Sequence, residues 1–319
     1  GFRACRPPPA PPGAQHWLLG GDTSTGRETL LLLSNPSSVP ATVNLEVYAE
    51  GGRVQASGLS GIAVSAGETQ VVPLSSLIPE SRSFAVQVLS RGASVGAWLQ
   101  QRTVRGLLYA GADFVSPLTE INKTLSIPGI LVRGAKDAAA LIAINDDYKD
   151  LIPALRVFNP SDKTATFTAQ IFGANEKTFG TVVRSTVNAG SVTDLEITGL
   201  KDGNYVALVS SDFEIQSAIR LSRVTATAAP DFTWIPAAEK FTGKRNLTVP
   251  SAGISKLCIY NDETGLIEVL EVSAGSTYSF AGTATPVYAN LITDIIGTVA
   301  NLQVLDQKNA GGKVSVNVR

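Results

Sequence analysis

The feature that most constrains this chain is a repeat of turn signals at a nearly constant separation. In each copy a short apolar segment ends at Asn-Pro, and an Ala-Gly pair and a further strand-like segment follow in the same order. The matching pairs are Asn35-Pro36 with Asn159-Pro160, Ala66-Gly67 with Ala189-Gly190, and 97–102 with 218–223, separated by 124, 123 and 121 residues. Three ordered matches at nearly one spacing predict two copies of the same structural unit.

The repeated residues are ones that terminate strands and build turns. An Asn side chain hydrogen-bonds to the backbone of its own turn, and the following Pro presets φ for the next turn position. The Gly of Ala-Gly supplies a position with positive φ between two strands. The repeat therefore specifies a fold with fixed turns rather than a catalytic motif.

Short alternating segments separate these turns. Residues 41–48 place Val43, Leu45 and Val47 on one face, and residues 164–172 alternate in the same way. This period of two predicts half-buried strands. No stretch of ten or more residues keeps the apolar spacing of an amphipathic helix, so we expect an all-β fold of tandem, immunoglobulin-like β-sandwiches.

A third, shorter copy follows the second. Asn261 and Gly275 lie 14 residues apart, whereas Asn35 and Gly67 lie 32 apart, so the third unit is expected to lack or shorten a hairpin. A second signature, Asp-Phe, recurs at the joins as residues 113–114 and 231–232. The predicted organisation is a tail at 1–15 and three β-sandwich units at 16–116, 117–230 and 231–319.

The composition excludes several classes of protein. Of 319 residues, 26 are Lys or Arg and 27 are Asp or Glu, and this balance argues against a nucleic-acid-binding protein. With 44% hydrophobic and 17% charged residues the chain is too apolar to be disordered. Its apolar runs are far shorter than the roughly 18–20 residues of a membrane helix. Any membrane attachment is expected to come from an anchor outside this sequence.

The first thirteen residues contain five of the 17 prolines and should be extended, because Pro fixes φ and lacks an N–H. We interpret this tail as a linker, with a proline-rich ligand for an aromatic groove as the alternative.

The two cysteines, Cys5 and Cys258, allow two interpretations. A disulfide between them would tie the tail to the last unit in an oxidising compartment. Alternatively, Cys258 is a buried free thiol in a strand and Cys5 an exposed one. An exposed lone thiol is a liability in a secreted protein, so the disulfide is the favoured prediction.

The first unit also resembles a known family, the large secreted proteins of actinobacteria that share domain of unknown function 5719. The resemblance covers about the first 117 residues well, the second unit more loosely, and the third unit thinly. The residues that carry it are Trp17, Gly20-Gly21, Gly26, Asn35-Pro36, Gly51-Gly52, Ala66-Gly67-Glu68 and Asp113-Phe114-Val115.

The resemblance implies export across the membrane of a high-GC Gram-positive cell, often with an N-terminal anchor. It further implies a role beside a large envelope glycosyltransferase in glycan assembly. The family offers no catalytic residues that could be transferred to this sequence.

Reactive side chains are few. The single imidazole, His16, adjoins the Pro-rich tail, and the sequence contains none of the common nucleophile, zinc or phosphate-binding motifs. Acidic residues cluster only at 145–150 and 261–263, which we interpret as a polar loop and a turn; a Ca²⁺ site at 145–150 is the alternative. No catalytic residue, cofactor or metal site is expected, and the chain is predicted not to be an enzyme.

Three tryptophans could contact a ligand, because flat rings stack on sugar faces. Trp98 alternates with Ala97 and Leu99 and is expected in the core. Trp17 and Trp234 lie at the entrances of units, where they either pack at junctions or face a glycan or protein partner.

The predicted function is a non-catalytic, extracytoplasmic cell-envelope scaffold or partner-binding accessory, with an envelope glycosyltransferase as one candidate partner. The alternatives are a glycan-binding module and, less favoured, a hydrolase with paired carboxylates.

Overall fold

A computed structural model describes residues 15–118, 121–173, 179–225, 229–249, 254–280, 285–295, 298–304 and 316–317. Its regular structure is almost entirely β-strand, arranged in several antiparallel sheets. The prediction of an all-β, sandwich-like fold is confirmed at this level. The predicted tail, including Cys5, lies outside the described residues except for Gln15.

The first unit contains two sheets. One sheet has the order β1-β7-β3-β4 with β5 also paired to β3, and the other has the order β6-β2-β8-β9. The strands are β1 (Gln15–Leu19), β2 (Arg27–Ser34), β3 (Ala41–Ala49), β4 (Gly52–Arg53), β5 (Ile62–Val64), β6 (Thr69–Pro73), β7 (Phe84–Arg91), β8 (Gly96–Arg105) and β9 (Leu108–Val115). Inward-facing residues of both sheets belong to one buried apolar cluster.

The second unit is organised around one long strand. The strands are β10 (Asn122–Val132), β11 (Ala154–Asn159), β12 (Ala165–Gly173), β13 (Phe179–Val187), β14 (Ser191–Glu196), β15 (Gly203–Arg223) and β16 (Asp231–Pro236). The first half of β15 pairs with β10 and β12, and its second half pairs with β11 and β16. The strand β15 therefore contributes to two layers of the second unit. In the first unit two separate strands, β7 and β8, each contribute to one sheet.

The third unit has shorter strands. They are β17 (Lys240–Phe241), β18 (Arg245–Thr248), β19 (Ile254–Tyr260), β20 (Ile267–Val272), β21 (Thr277–Phe280), β22 (Val287–Ile295), β23 (Thr298–Val304) and β24 (Val316–Asn317). β20 pairs directly with β19 across the turn at Asn261. In the first unit the corresponding turn leads instead to β3 in the other sheet.

The predicted alternation is present in the strands. β3 and β12 bury every second residue from Ala41 and Ala165 onward. In β12 these inward positions include Phe167 and Ile171, which belong to the core of the second unit. The period of two in the sequence thus corresponds to a buried face and a partly exposed face.

The predicted turns are confirmed in their hydrogen bonds. The amide of buried Asn35 donates to the carbonyls of Val39 and Val64 at 2.8 and 3.0 Å, and its oxygen accepts from the backbone and hydroxyl of Ser37. Asn159 repeats the arrangement.

The glycine of each Ala-Gly pair has positive φ, as predicted. Gly67, Gly190 and Gly275 have φ of 74°, 56° and 70°. Backbone N–H groups of Gly67 and Gly190 also donate to Ser37 and Ser161 in the respective Asn turns. The two turn signals of each repeat therefore meet in space.

One helix was not expected from the sequence: α1 spans Ala135–Ile144. Its run of alanines favours helix, but none of its residues is buried, so the periodic apolar face used to recognise helices is missing. The carboxylate of Asp202 accepts hydrogen bonds from the N–H groups of Gly134 and Ala135 at the helix start. Within the described ranges, no helix is long and apolar enough to cross a membrane.

The strand β16 directly follows the predicted boundary at 230/231. β16 (Asp231–Pro236) pairs with β15 along its whole length, so this strand lies in a sheet of the second unit. Phe232 and Trp234 of the same strand belong to the apolar cluster of the first unit. The first two units are thus joined by a shared core rather than by a linker alone.

Candidate functional site

Arg156 lies at the centre of the contact between the first two units. It sits on β11 with its side chain buried, and its guanidinium donates to both carboxylate oxygens of Asp194 at 2.7 and 2.8 Å. It also donates to the backbone carbonyls of Gly21 and Arg82 of the first unit, both at 2.8 Å. Because a buried cation is stable only when it is paired, these bonds hold the two units in one orientation.

The backbone that Arg156 contacts is closely packed against the core of the first unit, and two glycines allow this packing. A side chain at Gly20 would lie 2.7 Å from Val115, and one at Gly21, where φ is +91°, would lie 2.6 Å from the Phe84 ring. The Gly20-Gly21 pair of the sequence resemblance therefore brings a backbone carbonyl within reach of Arg156.

The two tryptophans singled out by sequence both lie in this contact. Trp17 packs against Phe158 with 4.9 Å between the ring centroids and a tilt of 43°, and it exposes 8% of its surface. Trp234 exposes 1%, lies 4.5 Å from the Arg156 guanidinium, and donates its indole N–H to Gln101 at 2.7 Å. Of the two alternatives for these residues, packing at a junction is the arrangement observed.

The two Asp-Phe signatures meet between β9 and β16. Asp113 accepts hydrogen bonds from the backbone N–H of Trp234 at 2.8 Å and from the hydroxyl of Thr233 at 3.1 Å. Burial, together with the negative charge of Asp113, raises the pKa of Asp231 to about 6, although the N–H groups of Phe232 and Ala112 oppose the shift. The Asp113 carboxylate thus stabilises the junction through hydrogen bonds, whereas burial in the junction disfavours the ionised form of Asp231.

The acidic segment at 145–150 is bound by arginines. It contains a 3₁₀ helix over Asp146–Leu151, and the carboxylate of Asp150 contacts Arg105 at 2.6 Å and Arg27 at 2.9 Å. Arg220 donates to the Asp150 backbone carbonyl. Burial raises the pKa of Asp150, but these guanidinium groups outweigh it and hold the pKa below its usual value. The Asp150 carboxylate therefore forms ion pairs that link the second unit to the first.

Trp98 departs from its predicted place in the core. Ala97 and Leu99 are buried, whereas Trp98 is half-buried on the outer face of the β6-β2-β8-β9 sheet. Alternation puts neighbouring residues on opposite faces of a strand, so buried Ala97 and Leu99 require Trp98 to face outward.

The tip of the β8–β9 hairpin presents an exposed apolar surface, here called the hairpin tip (residues 107–109). Leu107 is fully exposed, and Leu108 and Tyr109 expose 71% and 58% of their surfaces. The neighbouring Arg105 donates to the Asp147 carbonyl at 2.6 Å and lies over the Tyr148 ring at 4.9 Å. These contacts fix the base of the hairpin while its tip remains in solvent.

Cys258 lies in β19 with its sulfur buried, and no other described residue is bonded to it. It packs with Leu131 of the second unit and Val269. Burial raises the pKa of the thiol to about 12. Because Cys5 lies outside the described residues, the disulfide between them remains a prediction.

Sequence reasoning missed Arg156 and Asp194, and it assigned Asp150 to a polar loop rather than to the contact between units. A signal for the first was present, because Arg156 interrupts an apolar strand at the position where the first unit has Leu32. Among the described residues, no group of three or more His, Cys, Asp or Glu side chains is placed to hold a metal ion.

These observations define an all-β, sandwich-like protein whose first two repeated units share a buried polar joint. The chain belongs to the family described as a family of unknown function (DUF5719), which it matches over residues 8–285. No curated protein matches it. A solved structure titled "Crystal Structure of Thermotoga maritima 1070" is similar over 38% of this chain and 95% of its own, with 12% identity and a TM-score of 0.29.

Proposed function

We propose that this protein is a non-catalytic scaffold of the cell envelope that binds a protein partner outside the cytoplasm. The finer architecture proposed with it is three tandem immunoglobulin-like sandwiches. An envelope glycosyltransferase is the candidate partner implied by the sequence resemblance, and attachment to the membrane would come from an anchor outside this chain.

The observation that carries the proposal is the hairpin tip. Large contiguous patches of exposed apolar side chains are rare on soluble monomers and mark interaction sites, and the hairpin tip is proposed as the centre of such a patch. Leu107 and Leu108 gain nothing from their own fold, because both are exposed. Arg105 holds the base of the hairpin, so binding would cost little conformational entropy.

The polar clusters of the junction support a structural role. Asp113, Asp150 and Asp194 are each hydrogen-bonded or ion-paired within the contact between the first two units. The alternative of a glycan-binding module through Trp17 or Trp234 has less support, because both rings are covered by the fold.

The test is co-purification from detergent-solubilised native membranes. We expect the wild-type chain to recover an envelope protein and the double variant Leu107→Ser/Leu108→Ser to recover at least tenfold less. Stability should change by less than about 0.5 kcal/mol, because both side chains are exposed. Val182→Ser is the matched control, since Val182 is an exposed apolar residue of the second unit. Equal recovery by all three proteins, or recovery of the chain alone, would refute the proposal.

A further inference from the structure

A row of three side chains recurs on the outer face of one sheet in every unit. It is centred three residues before the turn Asn, and its members lie side by side on neighbouring strands; we call it the central row. The central rows are Val71–Leu32–Trp98 in the first unit, Asp194–Arg156–Ala218 in the second and Val269–Cys258–Asn290 in the third.

In the second unit this row is covered by the first unit. Arg156 donates to the carbonyls of Gly21 and Arg82, and Ala218 is buried in the apolar cluster of the first unit. The preceding unit therefore sits directly on the row.

In the third unit the row is covered by the second unit in the same way. Cys258 packs against Leu131, and the buried side-chain amide of Asn290 donates to the carbonyl of Pro128 at 2.8 Å. Leu131 and Pro128 both belong to β10, the first strand of the second unit. The covering groups again include a backbone carbonyl, like those of Gly21, which follows β1, and Arg82 over the second unit's row.

In the first unit the same row is open. Val71 exposes 44% of its surface, and Leu32 and Trp98 are half-buried although all three are apolar. Trp98 occupies the position of Asn290, and its indole N–H is a hydrogen-bond donor like the amide of Asn290. The row of the first unit thus offers apolar area and one hydrogen-bond donor. Apolar side chains and a backbone carbonyl, which cover the other two rows, would complement it.

We propose that the central row of the first unit docks a β-sandwich-like domain of a partner protein. The domain would present apolar side chains and an outward backbone carbonyl in or just after a strand, as Gly21 after β1 and Pro128 in β10 do. A second copy of this chain is a poorer occupant, because its Gly21 and Pro128 carbonyls are already used between its own units. The inference rests on the proposed partner-binding function and adds a surface separate from the hairpin tip.

The test places the photo-crosslinking residue p-benzoylphenylalanine at Val71 in the full chain, expressed in the native host. The control places it at exposed Val182 in β13. We expect one adduct from Val71, absent from Val182, whose crosslinked peptide maps to a strand of a β-sandwich domain in another protein. In a chain that also carries Leu32→Asp, the adduct yield should fall at least tenfold.

Three outcomes overturn the inference: no adduct from Val71, an adduct whose mass and peptides identify a second copy of this chain, or a partner peptide outside a β-sandwich domain. In case Leu32→Asp impairs folding, Trp98→Lys in the chain that carries the probe at Val71 should also reduce the adduct at least tenfold. Combining the probe with Leu107→Ser/Leu108→Ser separates the two proposals. An adduct that persists in that chain supports the central row even if the hairpin tip proves dispensable.

Discussion

The first and second units share their turns and the order of strands around β2 and β11, but their central rows differ. The second unit has Arg156 between Asp194 and Ala218, and this row lies against the first unit. The first unit has Leu32 at the equivalent position, and its row is open. The comparison teaches that a few outward side chains on a common scaffold determine whether a sheet face forms a fixed joint or a free surface.

Replacing Arg156 tests this difference most severely. Arg156→Met should lower the free energy of unfolding by about 3–5 kcal/mol, because it leaves the Asp194 carboxylate and two backbone carbonyls without their cation. Leu32→Met, at the equivalent position of the first unit, should cost less than about 1.5 kcal/mol. Urea denaturation measures both changes. Similar losses in the two variants would contradict the contrast between the rows.

The Asn turns test what the two units have in common. Asn35→Ala and Asn159→Ala should each cost about 2–3 kcal/mol, because each removes several hydrogen bonds from buried backbone groups. Since the two turns have the same geometry, the two losses should agree to within about 1 kcal/mol. Ser38→Ala, at an exposed position of the first turn, is the control. A large loss in only one unit would show that the turns are not equivalent.

The second Asp-Phe signature makes stability depend on pH. Because the pKa of Asp231 is raised to about 6 from 3.8, the folded state favours the protonated acid. Below about pH 4 the acid is protonated in both the folded and the unfolded state, so it does not reduce the free energy of unfolding. Above about pH 6 it is ionised in both states, and the loss of stability reaches its full value of about 2–3 kcal/mol. Asp231→Asn should stabilise the protein by that amount at pH 8 and not at pH 3.5.

Thermal unfolding across this pH range measures the effect of Asp231. Asp113→Asn is the comparison, because the Asp113 carboxylate accepts hydrogen bonds across the junction and its replacement should destabilise the protein at pH 8. A stabilisation by Asp231→Asn that does not vary with pH would contradict the assigned pKa.

The smallest expected effect concerns the thiol in the third central row. Burial raises the pKa of the Cys258 thiol to about 12, so in the reduced protein a thiol reagent at pH 8 should modify it at least a hundredfold more slowly in the native state than in denaturant. Fast modification of the native protein would contradict its burial between units. A denatured, unreduced chain without any free thiol would confirm the predicted disulfide between Cys5 and Cys258.

The sequence predicted the parts of the fold that are encoded locally. Asn35, Asn159 and Gly67 revealed the turns, because turn geometry depends on residues a few positions apart. α1 was missed, because its alanine-rich segment buries no face and so shows no helical period.

The junction was not predicted, because its partners are distant in the chain. Arg156 contacts Gly21 across 135 residues, and no local pattern records that contact. The misplacement of Trp98 had a different cause: the alternation was visible, but hydrophobic character was given more weight than strand geometry.

The unbroken course of β15 has a consequence for how the second unit opens. Its 21 residues are hydrogen-bonded to β10 and β12 at one end and to β11 and β16 at the other. Because β15 belongs to both sheets, opening one sheet also disturbs the strand that holds the other. This coupling favours all-or-none unfolding of the second unit. In the first unit, residues 92–95 separate β7 from β8, so the edge of one sheet can open locally without moving a strand of the other, and amide exchange there should resolve into two classes of protection.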